Sequence, residues 1–378
     1  MRTFIVAILG LSVLSSNARA VANPDEPAAV VVFPYVAIDP ATNKDVLIQL
    51  TNTSDQPIEA RCFYENLTPQ CSSSEGDASC MTDPITCSGL CIPRNTRIPL
   101  RVRLTPFQPL AWQAGSGLTQ PPLTDPQSSA TGVTNQFTNV PGLGAGPFIG
   151  TLRCIAVDDD PLHPSRNNVL LGLATIQQYS SSPTASADAA QYRAIGVKAL
   201  DPGANHDEFL TFGGPDGEYE SCPAAVSLNH FFDGAVVHAG DSTSTTTTTL
   251  VLASCAGTPP DTSSATRVQM LVRNEFDQRF STSRALLGQF VSQLSHIDSR
   301  VSENSIFSVD VMGTLTGRSR LRGIDGGIHA IAIESHAGSD GDSVAHSDAV
   351  NAHAYAHVYA QDDEGGLPDQ HCGSARSD

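Results

Sequence analysis

The sequence predicts an all-β, exported protein built as two antiparallel β-sandwich domains. Three observations carry that expectation: short apolar or alternating runs separated by turn residues, nine cysteines, and a leader-like N-terminus. Met1-Arg2-Thr3 precedes an apolar run over 4–14, and Ala18-Arg19-Ala20 follows. A positive start, a short hydrophobic stretch and an A-x-A site make a secretory signal over 1–20, cleaved after Ala20. The apolar run of about 11 residues is too short to span a bilayer, which needs roughly 20. No Cys at the cleavage site offers a lipid attachment point, and no membrane insertion is expected.

Alternation and turn chemistry place the strands. In the first half they fall at 28–35, 45–52, 58–64, 97–104, 110–113, 149–157, 169–177 and 192–197. The stretch 97–104 alternates Arg with Ile, Leu and Val, which gives one wet and one buried face. Gly- and Pro-rich sequence over 115–147 reads as a long irregular loop. After the signal, roughly 358 residues exceed the usual single-domain size. Gly213-Gly214-Pro215-Asp216-Gly217 marks the passage between domains. The expected division is a first sandwich over 21–215, a second over 216–336, and an acidic, His-rich tail over 337–378 with room for one last strand.

The second sandwich takes strands at 250–253, 268–273, 280–283, 307–312, 319–322 and 328–333, and one short helix over 284–293. Thr245–Thr249 is β-prone and fits an exposed edge or a linker equally. Three patterns of the first half recur in order. Pro27-Ala28-Ala29-Val30 returns as Pro223-Ala224-Ala225-Val226. Asn52-x-x-Asp55-Gln56 returns as Asn274-x-x-Asp277-Gln278, and Leu152-x-x-Ile155 as Ile328-x-x-Ile331. These are the marks of a diverged duplication, yet any two β-sandwiches share strand-turn-strand patterns, and the sequence leaves both readings open.

In an exported chain cysteines pair. Cys71, Cys80, Cys87 and Cys91 crowd a loop without strand periodicity, so two local bridges are expected to staple it, in any of three connectivities. Cys62 and Cys154 each sit inside a predicted strand and are expected to pair across the first sandwich. Cys222 and Cys255 are expected to pair within the second. Cys372, in a Gly/Ser-rich tail, is left as a free thiol. Cys87-x-x-x-Cys91 also has zinc-like spacing, but oxidation outside the cell competes with thiolate ligation.

With 21 Lys+Arg against 39 Asp+Glu, the surface repels phosphate backbones and anionic lipid, which argues against nucleic-acid partners. There is no G-x-S-x-G, no H-E-x-x-H and no Gly-Lys-Ser/Thr phosphate loop. The arginines flanking Ser319 suit a strand's solvent face. Trp112, the chain's single tryptophan, reads as core rather than as a sugar platform. The remaining chemical lead is the histidines. If 346–357 were helical, His346, His353 and His357 would form one stripe whose i,i+4 pair could chelate zinc or copper. As a strand, His353 and His357 stand about 13 Å apart, too far to share an ion. Asp158–Asp160, Asp340-Gly-Asp342 and Asp362-Asp363-Glu364 could offer oxygens to calcium, but none completes an EF-hand loop.

Several phrases together, LIQLTNTS (47–54), RLTPFQPLAW (103–112), LRCIAV (152–157), LNHFFDG (228–234), VRNEFDQRFS (272–281) and GTLTGRSRLRG (313–323), resemble a group of exported bacterial proteins without an assigned activity. That resemblance implies secretion and a β-rich fold, and transfers no catalytic residues. LIQLTNTSDQPI is also similar to an early strand-turn-strand of immunoglobulin-like folds. The expected function is therefore a secreted, extracellular or periplasmic, non-enzymatic protein that is structural, surface-associated or ligand-binding, with other extracellular proteins or its own copies as partners. The alternative is a metal-binding protein or metal-dependent hydrolase using the C-terminal histidines.

Overall fold

The computed structural model describes residues 24–66, 69–71, 91–93, 96–118, 140–144, 146–157, 163–178, 188–200, 210–213, 217–239, 242–255, 266–286, 288–298, 302–324, 326–338, 346–351 and 353–355. The leader over 1–20, the free thiol assigned to Cys372 and the three acidic clusters lie outside these residues. The chain is nearly all β. In order, the strands are β1 (Val30–Ile38), β2 (Lys44–Asn52), β3 (Ile58–Asn66), β4 (Pro69–Cys71), β5 (Cys91–Pro93), β6 (Thr96–Leu104), β7 (Pro109–Gln113), β8 (Gly117–Leu118), β9 (Val140–Pro141), β10 (Phe148–Val157), β11 (Leu170–Gln178), β12 (Asp188–Arg193) and β13 (Ile195–Val197). The second half adds β14 (Ala225–Phe231), β15 (Ala235–Ala239), β16 (Ser242–Ser254), β17 (Thr266–Asn274), β18 (Arg279–Leu286), β19 (Gln289–Gln293), helix α1 (Val309–Met312), β20 (Thr316–Gly323), β21 (Ile328–Gly338), β22 (His346–Asn351) and β23 (His353–Tyr355).

These strands form four principal antiparallel sheets. The first runs β13-β1-β10-β3-β6 and the second β12-β11-β2-β7-β8-β9. The third runs β18-β17-β20-β14-β23, and the fourth β15-β16-β21-β22 with β19 also on β16. Alternation explains the burial of β2, β6 and β7, while β1 is buried along its whole length. In β2, Val46, Ile48 and Leu50 are buried while the residues between them are half-exposed. They meet Ala60, Cys62 and Tyr64 of the first sheet in one core that also holds Trp112. Trp112 is core, as its sequence context implies, and its indole N–H donates to the Tyr64 hydroxyl at 2.8 Å.

Two local expectations are corrected. The stretch 284–293 is not a helix but the end of β18 and all of β19. Arg284 stands opposite Val268, stacks over Phe290 with its guanidinium 5.1 Å from the ring centre, and donates to the carbonyls of His296 and Ile297. Those bonds hold extended backbone against a helical propensity. The stretch 307–312 ends in α1 instead of a strand, closed by Gly313, whose φ of 65° lets its N–H reach the Val309 carbonyl. The threonine run settles the other way from an edge or linker. It lies inside β16, with Thr246 and Thr248 fully buried and Asp233 accepting from the backbone N–H groups of Thr248 and Ser295, both at 2.8 Å.

The halves are not independent sandwiches. One face of the fourth sheet, Leu250, Leu252, Ala330 and Ala332, lines the second core. Its other face, Val251, Ile331 and Ile333, belongs to the first core. Gln289, 2% exposed, crosses the same seam and donates to the Pro34 carbonyl at 2.7 Å and the Gly150 carbonyl at 3.3 Å. β1 slips register between Phe33 and Val36, around Pro34. Proline has no N–H for the ladder and is tolerated inside a sheet at such a bulge. The bulge turns two carbonyls out of the ladder: Pro34 accepts from Gln289, and Tyr35 accepts from the Tyr192 hydroxyl of the second sheet.

The repeated patterns do not occupy equivalent places. β1 pairs directly with β10, whereas their echoes β14 and β21 lie in different sheets. Asn52 and Asn274 are both buried and both organise the turn that follows, Asn52 through Ser54 and Gln56, Asn274 through Phe276 and Gln278. After Asn52 the chain leaves the second sheet for the first; after Asn274 it folds back as a hairpin within the third. The local device is shared and the topology is not.

The structure joins Cys62 to Cys154 and Cys222 to Cys255, the two long-range pairings expected. The first does not bridge two sheets as expected. Cys62 and Cys154 are direct partners on the adjacent strands β3 and β10, and their Cα atoms lie 4.0 Å apart, a little below the roughly 4.4–6.8 Å usual for disulfides. β4 and β5 set Cys71 opposite Cys91 along the backbone, while Cys80 and Cys87 lie outside the described residues. The two bonds span separations of 92 and 33 residues. Loop-closure entropy then assigns them roughly 4.6 and ~3.7 kcal/mol. Urea unfolding of C62A/C154A should show a loss about 1 kcal/mol larger than that of C222A/C255A; equal losses would mean that the unfolded chain is not what these bonds restrain.

Candidate functional site

At one end of the third sheet, a cleft of about 630 Å³ opens between the ends of β14, β17 and β20 and the turn after Asn274. Its walls are Asn229, Arg273, Arg318 and Glu334 with the turn residues Glu275 and Asp277. The size falls within the range of small-ligand clefts. The turn is well held: Glu275 accepts from the Thr316 N–H at 3.0 Å and from its hydroxyl at 2.5 Å, and Asp277 pairs with Arg273 at 3.0 Å. Asp277 adopts φ 56°, the left-handed conformation that Asp tolerates in turns. Phe276, between the two acids, is 72% exposed. Gly317 forms part of the floor. A Cβ there would stand 2.3 Å from the Phe232 ring, so only glycine lets that ring pack beneath the backbone.

His230, which also lines the cleft, belongs to an arrangement that motif searching missed. His230 Nε2 is 2.6 Å from Ser319 Oγ, and Nδ1 faces the Phe231 carbonyl at 3.1 Å. A carbonyl only accepts, so Nδ1 carries the proton and Nε2 receives the serine hydroxyl. This resembles the nucleophile–base half of a hydrolase site, but the geometry closes it. Ser319 is 0% and His230 is 3% exposed, both side chains point into the second core, and a carbonyl replaces the carboxylate that would stabilise an imidazolium. Burial pushes the His230 pKa down to about 4, slightly opposed by the Phe231 carbonyl. The sequence signal was parity: in β20 the arginines 318, 320 and 322 take one face, so Ser319 must take the other.

The histidines singled out by the sequence are dispersed. Residues 346–351 and 353–355 are strands, so the helical stripe does not form there. His346 pairs along the backbone with His336 in the fourth sheet, and His353 with Ser227 in the third. His357 lies outside the described residues. Among the described residues, no group of three or more His, Cys, Asp or Glu is arranged to hold a metal. His336 accepts or donates to Thr246 at 3.0 Å, and His296 does the same to Ser292 at 3.3 Å. His329 is 1% exposed at the seam, and neither ring nitrogen has a hydrogen-bond partner among the described residues. Burial, and then the positive charge of Arg153, push its pKa down to about 3.

Among the described residues no helix is long and apolar enough to cross a membrane. The chain matches no known protein family and no curated protein.

His230 and His329 tie stability to pH. Each is neutral when folded and titrates near 6.5 when unfolded, so the unfolded state takes up protons first as pH falls. Their contribution is whole above about pH 6.5 and is lost as pH falls toward the folded values of about 4 and about 3. Between pH 7 and pH 5 each should cost on the order of 2 kcal/mol. Urea unfolding of His329→Leu is expected to lose about 2 kcal/mol less than the parent chain over that interval. The same pH slope in both proteins would remove His329 from the account.

Proposed function

We propose that this is a secreted, non-enzymatic binding protein that takes its ligand in the cleft of the third sheet. The observation that carries the reading is the separation of the two chemistries there. The open cleft presents hydrogen-bonding and charged side chains, while in the Ser–His pair that could do acyl transfer Ser319 is wholly buried and His230, though it lines the cleft, is only 3% exposed. A site that binds must be reachable, and a nucleophile that is not reachable does no chemistry. In this reading the halves over 21–215 and 216–336 are two β-sandwich domains, immunoglobulin-like in character, fused along the fourth sheet into one rigid scaffold. The disulfides and the leader-like N-terminus support an extracellular or periplasmic setting.

A glycan array of neutral and acidic polymers, probed with the mature chain, tests the reading together with a panel of ester, peptide and glycoside substrates. Retention is expected for the parent chain, and it should be lost in Asn229→Trp, where an indole on an exposed position fills the cleft without touching the core. No turnover is expected. Turnover abolished by Ser319→Ala, or retention unchanged in Asn229→Trp, would refute the proposal.

A further inference from the structure

β18 ends the third sheet, and its outer edge is open. The phase of the ladder fixes which of its backbone groups point outward. Ile324 donates to the Arg267 carbonyl at 2.8 Å, and Asn274 to the Gln278 carbonyl at 3.2 Å. Odd-numbered residues of β17 therefore bond β20, and even-numbered ones bond Phe280, Thr282 and Arg284 of β18. The N–H and C=O groups of Arg279, Ser281, Ser283 and Ala285 are left directed away from the sheet, with no backbone partner among the described residues. The same four residues are exposed, while Phe280, Thr282 and Arg284 are half-buried.

Natural proteins guard sheet edges with short strands, proline, bulges, charge or a covering element. Among the described residues, the other edges of the four sheets follow that rule. β9, β13 and β23 have two or three residues, and β15 and β19 have five. β12 and β22, with six residues each, lie beside one another. β6 has nine residues, but Pro99 and three arginines interrupt it. β18 has none of these guards. It runs eight residues in unbroken register without proline or glycine, and of its outward residues only Arg279 is charged.

We propose that β18 pairs antiparallel with β18 of a second copy of this chain, about a twofold axis at Thr282, joining two five-stranded sheets into one of ten. The strand fits itself in that register. Ser281-Thr282-Ser283 reads the same in either direction. Arg279 meets Ala285 and Ser281 meets Ser283, so the four outward residues of each copy exchange about eight backbone hydrogen bonds. The pairs between them are the closer, non-hydrogen-bonded kind, with Cα atoms about 4.5 Å apart. There Thr282 stands against its own copy, and Phe280 against Arg284, whose guanidinium the His296 and Ile297 carbonyls hold in place. Threonine pairs are favourable across strands, and arginine packs well on aromatic rings. The two Arg279 residues are kept about 20 Å apart along the strands, well beyond a screening length of about 8 Å. A foreign extended segment would meet the same backbone groups without this matching of side chains. The twofold sets the two Asn274 turns, and the clefts beside them, at opposite ends of the joined sheet, so one dimer presents two clefts. The pairing goes beyond the binding reading and needs no ligand in either cleft.

Sedimentation velocity of the mature chain from about 1 to about 100 µM tests this, and a concentration-dependent dimer is expected. Ser281→Lys/Ser283→Lys sets like charges directly opposite one another at both symmetry-related pairs and should weaken the dimer about tenfold or more. Ser281→Glu/Ser283→Lys sets opposite charges at the same two pairs and should tighten it. Both positions are exposed, so neither variant disturbs the core, and near-ultraviolet circular dichroism checks folding. A dimer unchanged in both variants places the contact elsewhere and overturns the proposal. One weakened alike by both overturns the register. A chain that stays monomeric throughout also overturns it, and leaves the edge to an extended segment of another protein. Glycan retention enters none of these readouts, so failure here leaves the binding reading standing.

Discussion

The bulge at Pro34 is the constraint on which the assembly of the four sheets depends. β1 is an inner strand, flanked by β13 and β10, and is buried along its whole length. A proline in that position cannot donate to the ladder, and the register slip it imposes leaves carbonyls that must find other donors in a dry interior. Tyr192 supplies one from the second sheet and Gln289 the other from the fourth. Both donors are buried, and burial pushes the Tyr192 hydroxyl's pKa further up, so it stays a donor across the accessible pH range. One irregular dipeptide thereby fixes how three sheets meet. Apolar packing across the seam supplies most of the attraction there, and these two bonds supply the register.

What the sequence disclosed follows from which forces are local. Period-two alternation and turn residues are local, and most predicted strands of the first half lie within a few residues of the observed ones. Trp112 and the Cys62–Cys154 pair were legible for a related reason: each sits at an inward position of a strand. The miscast segments are those where a distant partner decides. Helix propensity over 284–293 yields to pairing with β16 and β17, and to carbonyls that capture Arg284. The threonine run carries no hydrophobic signal, yet it is the centre of a sheet because Asp233 and the strands on either side satisfy its backbone. The face-sharing of the fourth sheet could not be read at all. A strand buried on both sides shows as a continuous apolar run, as in Leu250–Ala253, but the run does not say which two cores lie against it.

The site was legible only in outline. Alternating arginines around Ser319 correctly indicated a solvent face, and parity then places Ser319 inward. That the opposite strand would hold His230 at hydrogen-bond distance depends on the β14–β20 register, which is a long-range property. The contrast between the two arginine-bearing sheets is of the same kind. β6 and β20 read alike as sequence, and only the long-range register shows that β3 sets Glu59 and Glu65 against the arginines of β6 while β17 sets Arg273 against Arg318. Turn chemistry behaves similarly: Asn52 and Asn274 build near-identical corners, and what the chain does next is decided by the sheet it meets.

The double duty of the fourth sheet bears on how the chain is made. A polypeptide emerges from its N-terminus, and domains ordinarily complete themselves as they appear. Here the first core stays unfinished until Val251, Ile331 and Ile333 arrive, so everything before residue 250 must wait with an apolar surface uncovered. Truncation at the apparent linker near 201–221 would not release a stable first domain but an adhesive fragment. The pattern favours a route on which a holding chaperone attends the first half, and it ties the lifetime of either half under proteolysis to that of the other. Recombination that shuffles β domains as beads on a string would find no clean cut in this molecule.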